Sequence, residues 1–199
     1  QLASGALFVA LTGEHFDGHD FIRVAREHGA SAAVVSRKVQ DPLPQLCVPD
    51  TRLALGQLAA ARRSAFTQPL IALTGSNGKT TLKEMIAAIL RRSAPILATR
   101  GNLNNDIGVP LTLLGLQAQH RYAVIEMGAN HPQEIAYLTS LARPDVAIIN
   151  NAGPCHLEGF GDLDGVARSK GEIFQGLSAD GVAIINADDP YAPLWREMN

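Results

Sequence analysis

Gly75, Gly78, Lys79 and Thr80 stand at a spacing that can hold phosphates. They belong to the stretch Leu70-Ile-Ala-Leu-Thr-Gly-Ser-Asn-Gly-Lys-Thr-Thr81, an apolar run that turns through two glycines into a helix. Through Gly75, Ser76, Asn77 and Gly78, such a turn leaves backbone N–H groups facing a cavity at a helix N-terminus, where the dipole favours anions. Lys79 adds a point charge for the phosphates. The Thr80 hydroxyl, next to Thr81, can ligate the accompanying Mg²⁺. The usual phosphate loop has a glycine where Leu73 stands. On the short string alone, a glycine-rich turn with an exposed lysine is the alternative. The strand before it and the helix after it favour nucleotide binding.

Other polar residues collect just after apolar runs. Glu126 follows Val124-Ile125 and can be a carboxylate ligand for Mg²⁺, or a surface glutamate capping the next helix. Asn150-Asn151 and Asn186-Ala-Asp188-Asp189 end two further runs. His156 is either a solvated loop histidine or a metal ligand, although imidazole is an unusual partner for Mg²⁺. Lys170 lies on a stripe with Val166, Ile173, Phe174 and Leu177, so it either snorkels or points into a site. Asn102, Asn104 and Asn105, after Gly101, read as a hydrogen-bonding loop for a polar ligand. Asp17 and His19 form a polar loop that a turn alone could explain.

The elements that position these residues alternate at a short period. Strands are expected over 70–74, 95–98, 122–127, 145–150 and 182–186. Helices are expected over 80–91, 107–115, 132–142 and 163–177, and residues 191–199 break off in mid-pattern. In the helix over 80–91, Leu82, Met85, Ile86, Ile89 and Leu90 share one face. Alternation of this kind gives a parallel sheet with helices on both faces, and ligands sit beyond the carboxyl ends of its strands. Runs such as Val146-Ala-Ile-Ile and Val182-Ala-Ile-Ile read as strands buried on both faces. Ahead of this, strands over 7–11, 32–35 and 46–48 and helices over 19–28 and 51–66 make a smaller unit. Phe21, Val24, Ala25 and His28 mark the inner face of its first helix. Gly29 closes that helix, and residues 67–69 form a joint. The fold class is therefore α/β: a small N-terminal unit over 1–66, then a mostly parallel-sheet phosphate-loop domain over 67–199.

At 199 residues the chain can bury a sizeable core, and a net charge of -2 argues against a general nucleic-acid binder. Two cysteines, Cys47 and Cys155, are too few for a disulfide scaffold and fit a reducing, cytoplasmic setting. No apolar run reaches the ~20 residues of a membrane span. The missing initiator Met and the abrupt end are read as marks of a fragment.

Thr74-Gly-Ser-Asn-Gly-Lys-Thr-Thr81, Glu126-Met-Gly-Ala, His156-Leu-Glu-Gly-Phe-Gly161, Lys170-Gly-Glu-Ile and Asn186-Ala-Asp-Asp-Pro190 together resemble the Mur ligases of peptidoglycan synthesis. The resemblance spans essentially the whole chain, and a missing first loop glycine is normal for that family. Gly101-Asn-Leu-Asn-Asn-Asp-Ile-Gly-Val-Pro110 and the stretch from Phe8 to Phe21 look most like the branch that joins D-alanyl-D-alanine to UDP-N-acetylmuramoyl-tripeptide. The resemblance implies ATP and Mg²⁺ as cofactors, an acyl-phosphate route and a monomer. It implies a UDP-substrate domain over 1–66, an incomplete ATPase domain over 67–199 and a C-terminal domain beyond the chain. Thr80, Glu126, His156 and a carbamylated Lys170 would hold metal, with Lys79, His156 and Lys170 catalytic. Asn102, Asn104 and Asn105 would meet the muramoyl-peptide, and Glu14, His15 and Phe16 the uridine nucleotide. Rival readings are a folylpolyglutamate-synthase-type ligase, a phosphate-loop kinase, or a nucleotide-binding module without turnover of its own.

Overall fold

Short apolar strands alternating with helices produce two parallel sheets in this computed structural model, which describes residues 3–155 and 157–199. The chain folds as two compact units, Gln1–Gln57 and Leu58–Asn199.

In the first unit, β1 (Leu7–Val9), β2 (Ala32–Val35) and β3 (Gln45–Cys47) pair in that order, all parallel. The helix expected over 19–28 divides: a 3₁₀ turn at Gly18–Phe21 leads into α1 (Ile22–Glu27). Asp17 starts the turn, its carboxylate accepting the His19 N–H at 2.9 Å. The tighter turn shifts the phase of the helix after it, since a 3₁₀ turn takes 3.0 residues and an α turn about 3.6. Ile22 and Ala25 are consequently buried, while Phe21 and Val24, expected inside, are 50% and 42% exposed. Gly29, at φ 92°, closes the helix. α2 (Thr51–Ser64) runs across the division between the units.

The second unit carries β4 (Leu70–Thr74), α3 (Lys79–Arg91), β5 (Ile96–Ala98), α4 (Gly108–Leu114), β6 (Tyr122–Glu126) and α5 (Glu134–Ala142). It continues through β7 (Val146–Ile149), α6 (Leu157–Phe160), α7 (Leu163–Gly171), β8 (Val182–Ile185) and α8 (Ala192–Glu197). Its sheet has the order β5-β6-β4-β7-β8 with every pair parallel, so the strand feeding the glycine loop is central. Leu70, Leu73, Val124, Ile125 and Ile149 are fully buried. Each such side chain contributes about 1.5–3 kcal/mol on transfer from water.

Three features depart from the sequence reading. β8 is buried on one face only: Ala183 and Ile185 pack on the core, while Val182 and Ile184 are 53% and 45% exposed. It is the last strand in the order, with α8 against it, and so it alternates. The helix expected to reach residue 177 becomes a 3₁₀ turn at Glu172–Gly176. There the Thr139 hydroxyl takes the Ile173 carbonyl at 2.8 Å, and the Leu177 N–H bonds Phe174 instead. Finally, residues 192–197 form a helix, pinned by buried Trp195, whose Nε1 donates to the Ala167 carbonyl at 2.8 Å.

Arg63 ties α2 to the end of α5. Its guanidinium donates to the carbonyls of Ala142 and Arg143 and to Asp145, satisfying orphan groups at a helix C-terminus. Among the described residues no helix is long and apolar enough to cross a membrane.

Candidate active site

Parallel pairing places Leu73 beside Glu126 and Thr74 beside Ile149, so the ends of β6, β4 and β7 line up at one rim of the sheet. Gly75 to Gly78 turn from that rim into α3. Gly78 adopts φ 73°, a left-handed conformation that an L side chain enters only with strain. A Cβ there would also meet the Asn150 amide at 3.1 Å. Among the described residues no side chain caps α3, so its first-turn N–H groups stay available to an anion.

The loop is braced from β7. Asn151 Oδ1 accepts the N–H groups of Ser76 and Asn77 at 3.1 and 2.9 Å, and its amide donates to the Asn77 carbonyl at 3.1 Å. Asn150 donates to the same carbonyl at 2.8 Å. Ser76 Oγ both donates to Gly153 O at 3.0 Å and accepts the Gly153 N–H at 2.9 Å. Behind this layer, Asn186 donates to the Asn150 carbonyl and Asp189 accepts the Ala152 N–H, at 3.0 and 2.9 Å. The polar ends of β7 and β8 thus form a scaffold for the loop. Asn151 had stood out only as part of a polar strand end, because its partners are 74 and 75 residues away.

Thr80 Oγ1 donates to Glu126 Oε2 at 3.0 Å, and the Asn104 amide donates to Oε1 at 2.9 Å. Glu126 is 1% exposed. Lys79 folds over its own loop, its Nζ donating to the carbonyls of Gly75 and Ser76 at 2.8 and 3.2 Å. Lys170 is buried, with Nζ 5.5 Å from the Phe160 ring centroid. Burial, then the charge of Lys79, pushes its amine down to about 8. Nearby, Glu172 accepts the N–H groups of Gln133 and Ala136 at the start of α5, at 2.9 and 3.1 Å.

The other expected residues separate. Asn105 Oδ1 accepts the Gly108 N–H at 2.8 Å and so caps α4, and Asn102 is exposed. A cavity of about 680 Å³ beside β5 is lined by Thr99, Arg100, Gly101 and Leu103 from the start of this loop. In the first unit, Glu14, His15 and Phe16 project into solvent. His19 is buried and spans from Asp17, at 2.5 Å, to the Ser36 N–H, at 2.9 Å, so these two residues fasten their own unit. His156 lies outside the described residues. Among the described residues, no group of three or more His, Cys, Asp or Glu side chains is placed to hold a metal ion.

The inner face of α3 differs from the expected stripe. Met85 and Ile89 are 59% and 67% exposed, whereas Lys83 and Ala87 are fully buried. The loop turns Thr80 toward Glu126, and positions three and seven residues later fall on that same side.

Fold and loop together define an α/β protein of the phosphate-loop class. The chain belongs to the Mur ligase family: residues 73–199 match the Mur ligase middle domain, and residues 1–63 match the part described as the family's catalytic domain. It is 58% identical over 198 residues to the UDP-N-acetylmuramoyl-tripeptide–D-alanyl-D-alanine ligase of Escherichia coli (strain K12), covering 100% of this chain and 44% of that protein. It resembles the crystal structure of MurF from Acinetobacter baumannii with a TM-score of 0.95 at 50% identity, covering 98% of this chain and 43% of that one. The MurF ligase from Thermotoga maritima in complex with ADP gives 0.89 at 35% identity, over 99% of this chain and 45% of that one. The chain spans a little under half the length of these relatives.

Proposed function

We propose that this chain is the UDP-substrate unit, over about 1–66, and part of the ATP-binding unit, over 67–199, of a ligase. The reaction joins D-alanyl-D-alanine to UDP-N-acetylmuramoyl-tripeptide through an acyl phosphate, with release of ADP and phosphate. The observation that carries the reading is the convergence of Thr80 and Asn104 on buried Glu126 beside the uncapped start of α3. The names and high identity of the relatives, and ADP in one of them, support it.

The donor set fits Mg²⁺. Glu126 is a buried carboxylate whose described partners are a neutral hydroxyl and a neutral amide. Such a group is costly without a cation, and hard oxygen donors suit this ion. Thr80 and Glu126 would hold it, with His156 a further ligand by family resemblance. When bound, it would supply positive charge to offset the charge of the phosphates. The first-turn N–H groups of α3 hold the phosphates, and Lys79 leaves the loop carbonyls to neutralise them. Asn104 orients Glu126. Lys170 fits a metal only after modification, since an ammonium repels one. Its depressed basicity raises the share of neutral amine, the form that CO₂ can carbamylate with loss of a proton, presenting oxygens. The loop from Asn102 to Asn105 faces the muramoyl-peptide, and Glu14, His15 and Phe16 serve the uridine nucleotide.

The test is the mass of the product. The intact gene product with Mg-ATP, UDP-N-acetylmuramoyl-tripeptide and D-alanyl-D-alanine should form the pentapeptide nucleotide. A phosphorylated tripeptide that accumulates whether or not the dipeptide is present would mark a kinase instead.

A further inference from the structure

We propose that Lys83 is a positioning residue that aims Glu126 through Thr99, and so governs how strongly the site holds Mg²⁺ with its nucleotide. The inference rests on the reading of Glu126 as a metal ligand.

Lys83 is fully buried, one of the largest side chains in the protein to be so. Lysine is almost never fully buried without a partner. Its Nζ donates inward to the Thr99 carbonyl at 2.8 Å and pairs outward with Glu84, which is half exposed, at 3.0 Å. Thr99, just past the end of β5, is itself 2% exposed. All its polar atoms are engaged: N–H to the Val124 carbonyl, C=O from Lys83, and Oγ1 from the Glu126 N–H at 2.9 Å. Glu126 is therefore gripped at two places. Thr99 fixes its backbone, and Thr80 and Asn104 fix its carboxylate.

Thr99 is also the root of the segment that carries Asn104, whose carbonyl accepts the Gly128 N–H at 2.8 Å beyond the end of β6. One ammonium thus steadies both the ligand and the loop that orients it. Packing alone would be served by an apolar side chain at this position, with no charge to desolvate. A charge retained here holds a carbonyl that no strand pairing satisfies, since Thr99 lies beyond β5 at the edge of the sheet. Lys83 comes three residues after Thr80 on the same face of one helix, so a single element supplies the groups on both sides of Glu126.

The experiment is calorimetric titration of the intact gene product with ADP, once with Mg²⁺ and once with EDTA. The proteins are wild type, Lys83→Met, Thr99→Val and Glu126→Gln. Removing an outer partner of a metal ligand costs about 10- to 100-fold in metal affinity. Lys83→Met and Thr99→Val should therefore lose about tenfold or more of the Mg²⁺-dependent gain in ADP affinity. Their affinity in EDTA should stay within about twofold of wild type. Thr99→Val keeps the side-chain volume, so it reports even if Lys83→Met does not fold. Equal losses with and without Mg²⁺, or no loss in either variant while Glu126→Gln loses the gain, would overturn the role of Lys83. Retention of the gain in Glu126→Gln would overturn the parent reading, and this one with it.

Discussion

Asn151 Oδ1 accepts the Asn77 N–H at 2.9 Å, across 74 residues of chain, so the glycine loop is shaped by the strand end beside it as well as by its own glycines. The same oxygen holds the Ser76 N–H at 3.1 Å. A loop of this kind binds phosphate only when its N–H groups already converge, because ordering them on binding lowers affinity.

Replacing Asn151 with Ala should therefore weaken nucleotide binding with little effect on the sheet. Each lost hydrogen bond is worth about 1 kcal/mol, and the substitution removes three. The expected loss in ADP affinity is about 10- to 100-fold, measured by calorimetry. An unchanged affinity would mean that the glycines alone shape the loop.

Lys170 supplies a test in which stability and activity move in opposite directions. Burial holds its amine at about 8, against an ordinary value of 10.5. The unfolded chain therefore binds more protons between those values, and wild-type stability rises with pH across that window. Below it the buried charge costs about 3 kcal/mol. In CO₂-free buffer, Lys170→Met should be more stable than wild type at pH 7 by about that amount. The gap should close as pH approaches the ordinary lysine value, while turnover is lost. Denaturant midpoints at several pH values check the first part. Electron density for a carboxylate beyond Nζ checks the carbamate.

Asp17 gives a slope of the same sign in the acid range, but here the wild type is the more stable protein. The His19 backbone N–H, then its ring, hold the Asp17 carboxyl at about 2, below its ordinary 3.8. Arg37 adds its charge at 2.6 Å. The stabilisation is complete above the ordinary value and disappears as pH falls through about 2. Wild type should thus exceed Asp17→Asn in stability at pH 5, with the difference shrinking toward pH 2. A difference that does not vary with pH would show that the loop is held by other contacts.

The order of strands and helices was legible because the apolar runs are continuous where the sheet is buried on both faces, as in Leu70 to Thr74. The glycine loop, Thr80 and Glu126 were legible for a related reason. Strand ends in a parallel sheet meet at one rim, so residues distant in sequence can be placed together from the alternation alone. Helix faces were less so. Counting apolar residues pointed α3 toward Met85 and Ile89, because nothing local to Lys83 shows that its partner Thr99 is 16 residues away. In α1 a single 3₁₀ turn, triggered by Asp17, shifted the face. The three asparagines of the 101–105 loop look alike in sequence. Only the fold shows that Asn104 turns to Glu126 while Asn105 caps α4.

The central claim is an ATP-driven ligation that needs both an acid and an amine. The most direct measurement is phosphate release by the intact gene product with Mg-ATP, adding UDP-N-acetylmuramoyl-tripeptide and D-alanyl-D-alanine separately and then together. Sustained release should require both, and Lys79→Ala should abolish it. Release driven by a folate with glutamate, or ATP binding with no turnover from either pair, would contradict the account.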